Sequence, residues 1–456
     1  VANVTVNRME RWYYQPMNTE SGRHVVIGEH FYQPPRKATH DRVAGYASDP
    51  SGIDWNRRIA QECYIPQTQR GTLSQVSFDF YATMRAEMNQ IAPEQVAHLR
   101  EAMRLRGVGD PYLHVLLPDL NTRDKGILIQ AGYAAFQKEA GFVPEWLWVP
   151  ETALDNDVLK VAKQSGYRGV LCAPEQIDAN GETDNRPVRV PLNGNGEMLV
   201  LPFDRPLSSS LAFDAKANAD QYVEQVILPR LLRLPKSEPL IAWTDGETFG
   251  HHAQFADMFL DYLVTSSLPT AGVAVLGLNE ITEVWEEKDY VQGRLRERSA
   301  WSCPHGNLQR WHGPCPCDGG HHGGWKQPFS DSLQRLNAQV SAVLDAQLPT
   351  DWPHHLSENF ATAFEYQGSA NTTMSLLAAK ASALASLTSC GTFFDNPQTS
   401  GRINILFAKQ SLENLRDAQH QQLADTLLSE LRTGMSQGTD PHSGVSLDQV
   451  FSDLLN

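Results

Sequence analysis

Across residues 1–297, short continuous apolar runs alternate with amphipathic stretches, the rhythm of βα units rather than of a β-sandwich. The runs are His24–Phe31, Ser74–Phe80, Tyr112–Pro118, Trp146–Glu151, Gly169–Pro174, Met198–Phe203, Pro239–Asp245 and Gly272–Gly277. Such runs suit strands covered on both faces, and about seven or eight of them can close into a barrel. The clearest helical pattern begins just after Glu151. It puts Leu154, Val158, Leu159, Val161 and Ala162 on one face, and Gly166 predicts its C-cap.

Beyond Glu297 the pattern changes. Trp301–Trp325 is rich in Gly, Cys, His and Trp and too irregular for regular structure. From Pro328 onward Ala- and Leu-rich helical patterns dominate, notably Met374–Leu387 and Ile403–Leu431, punctuated by Pro349, Pro353 and Asn396–Gly401. The expected organisation has three parts: an α/β barrel over 1–297, a Cys/His/Trp-rich loop flanking the active site over 298–327, and an α-helical bundle over 328–456.

Length and composition narrow the function. A chain of 456 residues fits two to three units, or one large barrel with an appendage. An apolar fraction of 41% fills a substantial core, and 20% charged residues exclude a disordered chain or a long coiled coil. Lys plus Arg is 38 and Asp plus Glu is 53, so the net charge is −15. That sign argues against nucleic acid or an anionic membrane as partner and permits a neutral polar substrate such as a sugar. No apolar stretch is long enough to span a membrane. Val1–Gln15 lacks the apolar core of a signal peptide, and the first residue is not Met, as in a chain trimmed at its N-terminus. The cytoplasm is the expected compartment, and six cysteines in a chain this size are no disulfide framework. The oligomeric state is not legible.

Polar chemistry in a barrel belongs at the C-terminal ends of the strands. His30 ends the first run, Glu151 the fourth and Asp245 a later one, followed by Gly246, Glu247 and His251–His252. A carboxylate that closes an apolar run sits at a cleft rim, partly desolvated, where its pKa is tunable. Glycosidic cleavage needs two carboxylates flanking one bond, and Glu151 with Asp245 is the sharpest pair. The plainer reading makes Glu151 a helix cap and Asp245 the residue that orders the Gly246 turn. Trp146, Trp148 and Trp243 lie in or beside the strands that carry these carboxylates, and Trp55, Trp301, Trp311 and Trp325 fall in loops. Indoles stack on the C–H faces of sugars, so Trp55 and Trp301 are the preferred platforms, with one of Trp146 and Trp148 in the core.

Histidines concentrate at 30, 114, 251, 252, 305, 312, 321 and 322, which keeps a metal-dependent deacetylase or mannosidase as a rival. There is no H-E-x-x-H, P-loop, G-x-G-x-x-G after a strand, or G-x-S-x-G. Cys303-Pro-His305 and Cys315-Pro-Cys317, nine residues apart, carry zinc-ligand types at less usual spacings and stand as a candidate structural zinc site. A redox-labile Cys315–Cys317 pair or plain reduced thiols are the alternatives. Cys63, Cys172 and Cys390 read as buried apolar residues.

With these residues in hand, the chain resembles glycoside hydrolase family 57, the α-amylase, 4-α-glucanotransferase and glycogen-branching group. Specifically, it resembles the bacterial subgroup in which a further helical region follows the barrel. Blocks run in family order from about Arg23 to Trp325: GEHFYQPPR at Gly28–Arg36, DWNRRIAQECYIP at Asp54–Pro66, and HVLLPDLNTRDKGILIQAG at His114–Gly132 with its R-D-K triplet. EWLWVPETALD at Glu145–Asp155, WTDGETFGHHAQF at Trp243–Phe255 and ERSAWSCPHG at Glu297–Gly306 complete the series. Two positions depart from the pattern. The subgroup's H-G-H reads Gly28-Glu29-His30, and Ala300 stands where many members place an acid.

The resemblance implies an incomplete (β/α)7 TIM-like barrel followed by an α-helical domain, α-linked glucan substrates, retention of configuration and no cofactor for catalysis. It implies Glu151 as nucleophile and Asp245 as general acid/base. His30, Gln33, Trp55, His114, Trp148, His251 and Trp301 are the expected substrate-binding residues. The rivals are a carbohydrate-binding protein that has lost catalysis, the metal-dependent hydrolase, and a partner-binding scaffold built on the C-terminal helices.

Overall fold

The structure is a computed structural model that describes residues 22–455 apart from 38, 41–42, 44–51, 180, 182, 195, 215–217, 284, 304, 319–321 and 369. Val1–Gln15 and His321 lie outside the described residues. Among the described residues, eleven strands form two sheets: β1 (Arg23–Phe31), β2 (Ser77–Phe80), β3 (Gly107–Val108), β4 (Trp146–Leu147), β5 (Gly169–Cys172), β6 (Ile177–Ala179), β7 (Val188–Pro191), β8 (Glu197–Pro202), β9 (Leu240–Asp245), β10 (Val273–Val275) and β11 (Val291–Leu295). In the first sheet β1 pairs in parallel with β2, β9 and β10, and β2 pairs with β3. The second runs β4-β5-β8-β7-β11-β6.

The two sheets make a barrel-like circuit that is not a closed barrel. A single parallel bridge, Gly109 to Leu147, joins β3 to β4. Between β8 and β9 the ladder is replaced by separate bonds. Asp204 N donates to Ile241 O at 2.7 Å, Ile241 N to Asn185 Oδ1 at 2.7 Å and Trp243 N to Ser208 Oγ at 3.0 Å. Side chains and one loop amide thus satisfy the edge of β9 that a further strand would cover.

Alternation along the strands divides the burial. Val26, Val108, Trp146, Trp148, Leu171, Leu201, Phe203, Ile241 and Trp243 form one apolar cluster. Their neighbours Val25, Ile27, Phe78, Phe80, Leu240 and Ala242 pack against the helices instead. Trp146, Trp148 and Trp243 are all fully buried, so both Trp146 and Trp148 are core. Trp311 and Trp325, expected in open loops, are buried as well.

Several expected elements differ. Tyr112–Pro118 is not a strand of the sheet. It is a buried loop whose Val115 bridges Thr388 of the C-terminal region, and the strand at this place is the shorter β3. The helix after Glu151 begins only at Asn156, with the Asp155 side chain accepting from Val158 N at 2.7 Å, so Glu151 caps nothing. Gly166, at φ 99°, does follow its end. Ile403–Leu431 is two helices, Arg402–Asp417 and Gln421–Met435, broken at Ala418–His420. β6, β7 and β11 are short or polar, and their pattern did not mark them.

The C-terminal helices share a continuous core with β4, β5 and β8. The R-D-K triplet holds this junction. Arg123 pairs with Asp345 at 2.6 Å, and Asp124 accepts from Lys380 Nζ at 2.8 Å and Asn337 at 2.9 Å. Lys125 reaches Asp155 at 2.9 Å and Asp157 at 3.0 Å, tying down the turn beyond Glu151. No helix among the described residues is long and apolar enough to cross a membrane.

Candidate active site

The strand ends meet the helical region around a cavity of about 750 Å³. Glu151 and Asp245 both line it, with His30, Gln33, Trp55, His114 and Trp301. Register explains part of this convergence. His30 lies opposite Asp79 on β2 and opposite Asp245 on β9, so one histidine stands between two carboxylates at the same level of the sheet.

Glu151 follows Pro150 in a short turn with φ 59°, and Thr152 follows at φ 48°. Two consecutive left-handed residues with side chains cost of order 1–3 kcal/mol each, and such strain concentrates at functional sites. The turn is pinned from the 298–327 segment: Trp301 N donates to Glu151 O at 3.1 Å and to Thr152 Oγ1 at 2.8 Å. Ser302 Oγ donates to Glu151 Oε2 at 2.8 Å, and Ser389 Oγ to Oε1 at 3.4 Å.

Burial raises the pKa of Glu151, while the Ser302 hydroxyl and the charges of His30 and Arg310 oppose it. Burial pushes Asp245 up to about 7, His30 opposes, and the negative charges of Glu247 and Glu151 add to the rise. Two acids in one cavity therefore have unlike surroundings: one is served by hydroxyl donors, the other is crowded by anions.

Behind Glu151 runs a buried chain. Asp79 Oδ2 meets His30 Nδ1 at 2.7 Å, His30 Nε2 meets His114 Nε2 at 3.3 Å, and His114 Nδ1 meets Ser389 Oγ at 2.8 Å. Burial and the neighbouring His30 hold His114 well below the usual histidine range, so it is neutral. With Ser389 donating to Glu151, Ser389 accepts from His114 Nδ1–H, and His114 Nε2 accepts from His30 Nε2–H. Burial raises Asp79 well above the usual carboxylate range, with a backbone donor and the Arg85 charge opposing. From His30 onward the donors of this chain point toward Glu151 Oε1.

Two expected contacts lie elsewhere. Trp148 is fully buried beneath the cavity, stacked on Trp243 at 5.3 Å and edge-on to Trp301 at 5.1 Å. His251 turns to Glu62, Nδ1 to Oε2 at 2.5 Å, and it is His252 that lines the cavity. Cys390, read as an apolar core residue, also lines it. Pattern reading missed Tyr32, Arg205, Arg310, Phe213 and Phe394 on its walls, and Ser389 behind Glu151. Phe213 and Phe394 are 86% and 59% exposed. Nothing local marks Ser389.

Gly28 has a steric reason. A Cβ there would lie 2.0 Å from Trp243 Cε3, so the indole of β9 occupies the space in front of β1 and leaves a histidine no room.

The model of the family described as glycosyl hydrolase family 57 matches residues 10–301, more than half of the chain. The chain belongs to glycosyl hydrolase family 57. Membership makes it a glycoside hydrolase by class, in agreement with the two-carboxylate cavity. A search of curated proteins finds no match. Among solved structures it is similar to an exo-type maltose-forming amylase from Pyrococcus sp. ST04, with 14% identity, TM-score 0.71, and coverage of 95% of this chain and 88% of that one. A family 57 branching enzyme from Pyrococcus horikoshii matches with 13% identity, TM-score 0.62, and coverage of 95% and 94%. A 4-α-glucanotransferase from Thermococcus litoralis matches with 14% identity, TM-score 0.58, and coverage of 87% and 59%. At these identities the likeness is one of fold, and it extends through the C-terminal helices.

Proposed function

We propose that this family 57 protein is a retaining hydrolase or transglycosidase of α-linked gluco-oligosaccharides and polysaccharides. The observation that carries the reading is the unlike pair lining one cavity, Asp245 with its pKa near 7 and Glu151 under two hydroxyl donors. The names of the similar structures support α-glucan as the substrate class.

In the first step Asp245 gives its proton to the departing glycosidic oxygen while a Glu151 oxygen bonds to the anomeric carbon. Asp245, now ionised, then takes a proton from water or an acceptor hydroxyl, whose oxygen displaces Glu151. The acid is restored and the anomeric configuration retained. Gln33 is placed to bond sugar hydroxyls and Trp55 and Trp301 to stack on rings, while His30 and His114 line the cavity with their ring nitrogens engaged by Asp79, each other and Ser389. Phe213 and Phe394 offer further apolar faces, and His252 takes the position first assigned to its neighbour.

Two further assignments belong to this reading. Cys303, His305, Cys315 and Cys317 are ligands of a structural zinc that takes no part in the chemistry. None of the six cysteines is in a disulfide, which suits a reducing cytoplasmic compartment. The metal-dependent hydrolase is not favoured: among the described residues, the one group of converging metal-ligand side chains is this Cys/His set, which includes neither Glu151 nor Asp245.

The test is Glu151→Gln and Asp245→Asn on maltooligosaccharides and starch, with product anomers followed by NMR. Turnover falls to background in the first and by about 10²–10⁴-fold in the second, and wild-type products form with retained configuration. Near wild-type turnover in either variant, or inverted products, sinks the assignment.

A further inference from the structure

The segment that carries Trp301 and Ser302 to Glu151 continues directly into four side chains drawn to one point. Cys303 Sγ lies 3.6 Å from Cys315 Sγ. His305 Nδ1 lies 3.1 Å from Cys317 Sγ and 3.5 Å from Cys315 Sγ. All four donor atoms fall within 4.8 Å of one another. A tetrahedral zinc with bonds of about 2.3 Å to sulfur and 2.0–2.1 Å to nitrogen spaces its ligand atoms about 3.5–3.8 Å apart. A disulfide would need about 2.05 Å, and each of these cysteines is free. Thiols are weak hydrogen-bond donors and give no reason for an exposed imidazole to turn onto two of them.

We propose that Cys303, His305, Cys315 and Cys317 bind one zinc ion, and that this ion acts as a positioning device that holds Trp301 and Ser302 against Glu151. The coupling half rests on reading Glu151 as the nucleophile; the metal half does not. An antiparallel bridge from Ala300 to Cys303 closes a tight turn around Trp301 and Ser302. A ligand bond at Cys303 therefore fixes the C-terminal end of that turn, while the Trp301 amide and the Ser302 hydroxyl fix its face to Glu151. The second ligand pair lies beyond the short helix Gln309–His312, so the ion closes a loop that has little regular structure of its own.

The surroundings fit a structural site. Cys303 and Cys315 are fully buried in a small apolar cluster with Leu116, Ala153, Leu308 and Trp311. His305 is exposed and Cys317 half-buried, which leaves an entry path on one side. Binding releases one proton from each of the three thiols, and the neutral imidazole coordinates through Nδ1. Four protein ligands fill the tetrahedron, so no position remains for water or substrate.

The experiment uses the full chain, purified without chelator, and reads metal before any substrate is added. Elemental analysis is expected to find about one zinc per chain, and cobalt(II) exchanged into the site to give the strong visible absorption of a tetrahedral thiolate centre. His305→Ala, an exposed position, is expected to weaken zinc retention against a competing chelator by at least about tenfold. Should that variant fold poorly, chelator-stripped wild type with zinc added back supplies the same comparison. Hydrogen exchange at the Trp301 amide is expected to speed up when zinc is removed and to slow again on its return.

A wild-type chain without bound metal, or a disulfide among these cysteines in non-reduced peptide maps, overturns the site. Zinc bound at full occupancy with unchanged exchange at Trp301 overturns the positioning role. Neither readout needs turnover. A zinc-loaded chain that cleaves no glucan would count against the glycosidase reading alone.

Discussion

Asp245 sits where burial and two neighbouring carboxylates, Glu247 and Glu151, make ionisation expensive. In the proposed mechanism its side chain holds a proton for the first half-reaction and is ionised for the second, and a pKa of about 7 serves both. The rate constant kcat/KM on maltooligosaccharides is therefore expected to fall as pH rises through about 7. An α-glucosyl fluoride, whose leaving group needs no proton, is expected to lack that alkaline limb. An identical limb for both substrates would move the acid elsewhere. The same carboxyl has a stability consequence of defined sign. Its folded pKa lies above the ordinary 3.8, so the folded state binds the extra proton between about 4 and 7. Its contribution is full below that window and is lost as pH rises through it. Glu151 shows what a residue can and cannot disclose. Its place at the end of an apolar run was legible; its left-handed backbone and the hydroxyls of Ser302 and Ser389 were not, because they arise from contacts across 151 and 238 positions.

At the scale of elements, the close pairing of β1 with β9 sets the floor of the cavity. Gly28 lies opposite Trp243 in register, and the indole packs where a side chain at 28 would stand. Replacing Gly28 with Ala forces a Cβ into the ring of a fully buried tryptophan, so a loss of about 1–3 kcal/mol is expected in denaturant unfolding. Because Trp243 also lines the cavity, KM is expected to change with it. Unaltered stability would show that the two strands sit further apart. The run Tyr112–Pro118 teaches the converse lesson. Its composition is that of a strand, yet its backbone pairs with Thr388 and Ser389, since Ser389 N donates to His114 O at 2.9 Å. An apolar run states that a segment is buried; it does not state which partner buries it.

For the whole molecule, the C-terminal helices are part of the site rather than an appendage. The helix Thr372–Ala385, buried on all sides from Ser375 onward, ends in the stretch that delivers Ser389 to Glu151 and Cys390 to the cavity wall. Small Ala and Ser side chains let it lie in the middle of the helical layer. Its one cation, Lys380, is fully buried against Asp124, and burial lowers its pKa to about 8. Asp124→Ala leaves that ammonium buried without its carboxylate and is expected to cost about 3–5 kcal/mol, measured by denaturant unfolding. Turnover is expected to fall as well, because the same helix positions Ser389. A variant with wild-type stability would mean that the junction does not depend on this pair.

Taken by itself, the chain determined its βα rhythm, the loss of that rhythm after residue 297 with helical patterns from Pro328 onward, and the two acids closing apolar runs. Each of these is written in local periodicity or in a short motif. Only the tertiary structure decided that the circuit of strands stays open between β8 and β9, that Trp148 and His251 turn away from the cavity, that Cys390 and Phe394 line it, and that Ser389 stands behind Glu151. The physical reason is that burial follows from composition, whereas the identity of a neighbour hundreds of positions away follows from how whole elements pack.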